Sequence, residues 1–145
     1  MPTETPLFHS LLTPALALVV LSLIVWAAMV ATRIPAMAKA KMPPQSARYT
    51  AELTTLPAPT RDIGDNYKHL MEQPTIFYAL VFYSYLAGQQ DGLNIALAWA
   101  YVGVRVVHTA IQTTTNVVML RFHAFLASSL VLVVLAARDV AALFS

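Results

Sequence analysis

Arg61, Asp65, His69 and Glu72 stand at i, i+4, i+8 and i+11, a spacing that gathers all four on one face of a helix starting early enough to include them. Tyr101, Arg105, His108 and Gln112 form a second such stripe, and Arg121 and Ser128 share a face two turns apart on a third segment. Glu72 and Arg105 are opposite charges that would each be costly alone in apolar surroundings, which predicts that they pair. A satisfied ion pair is poorly placed to react, so this pair reads first as structural. Arg121 differs. No acid lies within a turn of it, and it stands at the edge of an apolar run, where it would meet either an anionic ligand or, by snorkelling, lipid headgroups. His69, His108 and His123 raise the question of a metal, but they fall on three separate segments with only Asp65 and Glu72 as nearby carboxylates. No metal is expected; histidines in such segments more often donate a hydrogen bond to a neighbouring helix. Ser128 and Ser129 have no partnered base and read as small residues that let helices approach. The chain has neither a Gly-rich phosphate loop nor a nucleophile triad, and the lack of cysteine removes disulfides and thiolate chemistry of its own.

The elements that must position these groups are apolar. Of 145 residues, 58% are hydrophobic and only 11% charged, too apolar for an ordinary soluble domain, in which about 25% are charged. Leu11 to Ala31 is an uninterrupted apolar run, long enough to cross a hydrocarbon core of about 30 Å. A signal peptide is disfavoured, because Met1 to Ser10 holds no Lys or Arg and the run exceeds the ~7–15 residues of a signal core. Three further segments follow, and the reading is an all-α integral membrane protein. It is a single domain of four transmembrane helices at about 11–32, 62–88, 93–115 and 119–139. Pro35, Pro43, Pro44, Pro57 and Pro59 fall in or at the edge of the long first connection, where they would interrupt any long helix. Gly88 to Gly92 makes a tight second turn.

Arg33, Lys39, Lys41, Arg48 and Arg61 place most of the basic residues in the 33–65 connection, which predicts that it faces the cytoplasm with both termini opposite. The net charge of +2 is small and its basic residues do not form an aromatic-laced face, so no nucleic-acid partner is expected. Membrane lipid and a lipophilic small molecule are the expected partners. A transporter is disfavoured, since no inverted repeat or broken helix is visible.

Two stretches carry a resemblance. Asp65-Asn66-Tyr67-Lys68-His69-Leu70-Met71-Glu72-Gln73-Pro74-Thr75-Ile76-Phe77-Tyr78 resembles the second-helix motif of the MAPEG family, the membrane-associated proteins of eicosanoid and glutathione metabolism. Arg105-Val106-Val107-His108, with Gln112, Asn116 and Arg121-Phe122, resembles the third- and fourth-helix signature of that family. The Glu72-Gln73-Pro74 spacing, one residue shorter than in the family's mammalian enzymes, is similar to its bacterial branch. The Ala-rich short form suggests a bacterial inner membrane, with an internal eukaryotic membrane as the alternative.

The resemblance implies a homotrimer that binds glutathione between neighbouring subunits near the cytoplasmic side. Arg121 matches the arginine that stabilises the glutathione thiolate, and a fixed cation does lower a thiol pKa from its usual value of about 8.5. The thiolate would attack a lipophilic electrophile or a hydroperoxide. Glu72 and Arg105 match positions that pair and frame the site, with His108 beside them. The chain departs from the pattern at three points. His69 replaces the family's asparagine, Gln112 replaces a tyrosine of some synthases, and Asp65 replaces an arginine that grips the carboxylate of glutathione. Arg61 and Lys68 stand nearby to offset that carboxylate. The resemblance therefore implies a glutathione- or other thiol-dependent transferase or peroxidase. The alternative is a non-catalytic scaffold, or a lipid- or small-anion-binding protein that keeps the fold.

Overall fold

The computed structural model describes residues 10–144 and contains four long helices: α1 Leu12–Lys39, α2 Ala58–Leu86, α3 Gly92–Thr113 and α4 Val118–Ala142. His9, which the sequence pattern gives no role, lies outside the described residues. Two 3₁₀ turns, Pro44–Ala47 and Thr50–Thr55, carry the first connection.

The first helix runs further than its sequence suggests. Pro35 was expected to lie beyond its end near residue 32, yet α1 continues through Pro35 to Lys39. A proline removes only its own N–H and crowds the previous turn, a cost that a long helix anchored elsewhere absorbs. The stop comes later and is well defined. Lys41 takes a left-handed φ of 51°, its N–H donates to the Ala38 carbonyl, and the Met42 N–H donates to the Met37 carbonyl. That double return closes the helix, and Pro43 and Pro44 prevent its resumption. The second helix ends in the same way, with Gly88 at φ 74° and the Gln89 N–H donating to the Ser84 carbonyl. It begins after Pro57 and passes through Pro74 without breaking. The third is capped by Asp91, whose side chain accepts the Asn94 N–H at 2.8 Å.

Along the bundle α1 packs on α2 and α3 on α4, while α2 also touches α3 and α4. Leu18, Leu70, Phe77, Val81, Ala98 and Tyr101 form the centre of the core, and the Phe77 and Tyr101 rings stack at 4.4 Å. The outward faces are apolar as well. Leu16, Leu23 and Ile24 on α1 and Phe122, Leu130 and Val133 on α4 are exposed. By length and composition α1, α3 and α4 each suffice to cross a membrane. α2 has the length, at roughly 1.5 Å per residue, but its first half carries Arg61, Asp62, Asp65, Lys68 and Glu72, so it does not qualify on composition alone.

Candidate functional site

The inward face of α2 is set by its large apolar side chains. Leu70, Phe77 and Val81 are buried, and the polar residues that share their face are Asn66 and Gln73. The expected stripe of Arg61, Asp65, His69 and Glu72 lies on the adjacent face. Arg61, Asp65 and Glu72 are exposed and His69 is half-buried. One residue along a helix is about 100° of rotation, so a stripe chosen one position off points somewhere else. The α3 stripe is as expected: Tyr101, Arg105, His108 and Gln112 are all buried. The Ser128 face of α4 is also buried, while His123 is exposed.

This rotation dissolves the expected Glu72–Arg105 pair. Glu72 turns outward and meets His69 instead, with Oε2 3.5 Å from Nδ1. Arg105 is 1% exposed, and among the described residues no carboxylate lies within ion-pair distance of it. Its guanidinium is held by neutral oxygens: NH2 donates to the His69 carbonyl at 2.9 Å and NH1 to Gln73 Oε1 at 3.4 Å. Gln73 is the hub that sequence reasoning missed. The same oxygen lies 2.9 Å from Ser128 Oγ and 3.4 Å from the Tyr101 hydroxyl, and its Nε2 donates to Ser129 Oγ at 2.6 Å. Ser128 and Ser129 thus tie α4 to α2, a role beyond that of small spacers. The sequence signal for Gln73 was its place four residues before Phe77 and seven after Asn66, on the apolar face.

A cleft opens between α2 and α4 along this polar interior. Its larger part, about 400 Å³, is lined by His69, Glu72, Gln73, Ile76, Arg105 and Phe125. The adjoining part, about 230 Å³, shares His69 and Phe125 and adds His108, Val118, Arg121 and Phe122. Five of the expected residues therefore meet here: His69, Glu72, Arg105, His108 and Arg121. Arg121 points into the cleft and is braced there, its NH1 donating to Asn116 Oδ1 at 2.6 Å while Asn116 Nδ2 donates to Asp62 Oδ1 at 2.8 Å. Asn116 holds a left-handed φ of 48°, a conformation asparagine tolerates better than most residues.

Two expected residues go elsewhere. Gln112 sits behind the cleft, its Oε1 accepting from Asn66 Nδ2 at 2.9 Å. Arg61 lines a separate cavity of about 200 Å³ with Arg33, Leu53, Thr54, Leu56, Asp62 and Asp65. Asp65 is there too, paired with Lys68 at 3.2 Å, so within one chain its carboxylate does not face the cleft. Among the described residues no three His, Asp or Glu side chains gather as metal ligands.

Electrostatically the cleft favours anions. Two guanidinium groups and two imidazoles face it, and Glu72, mostly exposed at the rim, is its one carboxylate among these lining residues. Apart from the Gln73 amide the remaining walls are aromatic or aliphatic, so the site joins a cationic recess to an apolar one.

Comparison with curated proteins finds no match, and neither does comparison with solved structures. The family model does match, over residues 11–141, which takes in all but the last residue of the four helices and every residue of the cleft. An all-α bundle of four helices, three of them apolar enough to cross a membrane, and a match over nearly the whole chain lead to one conclusion: this integral membrane protein belongs to the MAPEG family.

Proposed function

We propose that the α2–α4 cleft binds an anionic thiol, glutathione in the first instance, and uses it against lipophilic electrophiles or hydroperoxides. The observation that carries this reading is Arg121, braced by Asn116 and facing a recess lined by His69, His108, Phe122 and Phe125. A fixed cation beside a bound thiol raises the thiolate fraction at neutral pH. In the transfer reaction the thiol proton leaves to solvent, the thiolate sulfur forms a bond to an electrophilic carbon, and the leaving group departs with its electron pair. With a hydroperoxide the sulfur attacks the terminal oxygen and an alcohol leaves. A second thiol then displaces water to give the disulfide.

Family membership supports membrane glutathione chemistry in general terms. The homotrimer is part of the proposal: the exposed Arg61, Asp65 and Glu72 face of α2 is where a second subunit would complete the site. The basic 33–65 connection is proposed to face the cytoplasm of a bacterial cell. A non-catalytic scaffold is the second reading. What favours it is that Arg105 is already held by a backbone carbonyl and Arg121 by Asn116, as in a purely structural lattice.

The test is thermal unfolding of the detergent-purified protein with and without millimolar glutathione, beside Arg121→Ala. The wild type is expected to gain stability on adding glutathione and the variant to gain none. Identical curves for the wild type with and without glutathione would sink the thiol reading.

A further inference from the structure

α2 and α3 meet along a ladder of polar rungs about one helical turn apart. Asp62 bonds Asn116, Asn66 bonds Gln112, the His69 and His108 rings meet edge to face at 5.9 Å, and Gln73 accepts from Arg105. The stacked Phe77 and Tyr101 rings close the line. From residue 62 to residue 73 the ladder rises roughly 16 Å, about half of a hydrocarbon core.

These rungs are incompletely bonded. Asn66 Oδ1, Arg105 Nε, His108 Nδ1 and Gln112 Nε2 are all buried without a protein partner, and all four belong to rungs of this seam; Thr109 Oγ1 on α3 and Arg33 Nε on α1 are the other such side-chain atoms among the described residues. Buried polar groups are seldom left unpaired, and the usual partner when protein supplies none is internal water making about three hydrogen bonds. The four residues on the seam are buried, so a neighbouring subunit packed on the outside would not reach them. Access exists at both ends, through the Asp62–Asn116 edge and through the cleft, which His69 and His108 also line.

We propose that the α2–α3 seam holds a file of internal water molecules that joins the cleft to the aqueous edge and stops at the Phe77–Tyr101 stack. Its use follows from chemistry inside a membrane. A thiol ionised in the cleft must release its proton, and a file of water passes that proton outward, each molecule accepting one proton and giving up another. That use rests on the proposed thiol reaction; the hydration itself does not.

Hydroxyl-radical footprinting of the detergent-purified protein by a brief X-ray pulse reads hydration directly, because radicals form from the water beside a side chain. Leu70 lies on the ladder line, between Asn66 and Phe77, and is 1% exposed; Leu18 on α1 and Leu135 on α4, at 0% and 1%, are equally buried on helices that carry no rung of the ladder. Leu70 is expected to be oxidised at least tenfold faster than Leu18 and Leu135. Equal rates would mean a dry seam and overturn the proposal. In the double variant Asn66→Leu, Gln112→Leu the Leu70 rate is expected to fall to that of Leu18. Undiminished labelling there would show water entering from the cleft alone, and the connecting file would be wrong. Neither readout uses glutathione, so absence of glutathione binding leaves this result standing, and the reverse holds as well.

Discussion

The two ends of the α2–α3–α4 bundle are both polar, yet they treat their polar groups differently. At the end where α2 leads into α3, no buried side-chain nitrogen or oxygen among the described residues is left without a hydrogen-bond partner. Ser84 Oγ lies 3.0 and 2.8 Å from the two carboxylate oxygens of the buried Asp139. Arg138 donates through Nε to Asn94 Oδ1 at 2.6 Å and through NH2 to Asp91, and Asn94 Nδ2 donates to the Gln89 carbonyl at 2.9 Å. At the other end Asn66, Arg105, His108, Thr109 and Gln112, with Arg33 of α1, each leave a buried side-chain atom unpartnered, and these are all of the unpartnered buried side-chain nitrogens and oxygens among the described residues. A polar cluster that only holds helices together satisfies itself. One that must accept a ligand, water or a proton keeps capacity in hand. The contrast supports the proposed assignment of function to the cleft end without reference to any relative.

The largest expected effect tests that assignment at its centre. Glutathione at a hundred times its dissociation constant is expected to stabilise the wild type by about 2.7 kcal/mol, and Arg121→Ala to lose that gain almost entirely. If Arg121→Ala kept the ligand-dependent gain, the cleft end would be no more functional than its opposite. Ser84→Ala supplies the converse. It strips Asp139 of its side-chain donor, and the expected loss is about 2 kcal/mol, inside the range for an orphaned buried group. The loss should be the same with and without glutathione, as read by denaturant or thermal unfolding. A ligand-dependent loss would place the Ser84–Asp139 end in communication with the site.

A smaller effect sharpens the contrast within the ladder itself. Asn66→Leu alone leaves the Gln112 amide without its partner, and Gln112→Leu alone does the same to Asn66. The double replacement leaves neither amide behind. It is expected to cost about 1 kcal/mol less than the sum of the two singles, measured by a double-mutant cycle on unfolding free energies. Strict additivity would show that the two amides do not interact.

Much of this was legible in the sequence and some was not, for identifiable reasons. The four helices, the Gly88–Gly92 turn and the buried α3 stripe follow from apolar periodicity, because nothing competes with it in α3. In α2 two neighbouring stripes, Arg61–Asp65–His69–Glu72 and Asn66–Leu70–Gln73–Phe77, both step by three or four residues. The charged one catches the eye, but the one with Leu70 and Phe77 packs. Glutamine and asparagine hubs are hidden in sequence for this reason: their importance lies in which carbonyl and hydroxyl groups they meet, and those come from α3 and α4. Arg121 was legible as a cation without a nearby acid and Asn116 as its neighbour in the signature, but the Asp62 contact that fixes Asn116 was not, because Asp62 is distant in the chain.

The smallest prediction concerns the satisfied end and has a sign in pH. Asp91 caps α3, and the Asn94 backbone N–H holds its carboxyl below the usual carboxylate range, with Arg138 adding to the effect. A folded pKa below the unfolded one means that the cap's contribution is complete above the unfolded value of 3.8 and is lost as pH falls through the lower folded value. Asp91 is half exposed, so its contribution is expected near the low end for a helix cap, roughly 0.5–1 kcal/mol. Asp91→Ala should therefore be less stable than the wild type at pH 7, with the gap closing below about pH 4. Asp91→Asn separates cap from charge: an asparagine accepts the same N–H without titrating, so it should hold most of the stability at pH 7 and escape the acid loss. If Asp91→Asn falls as far as Asp91→Ala at pH 7, the Arg138 contact and not the cap carries the effect, and this end of the bundle depends on its ion pair after all.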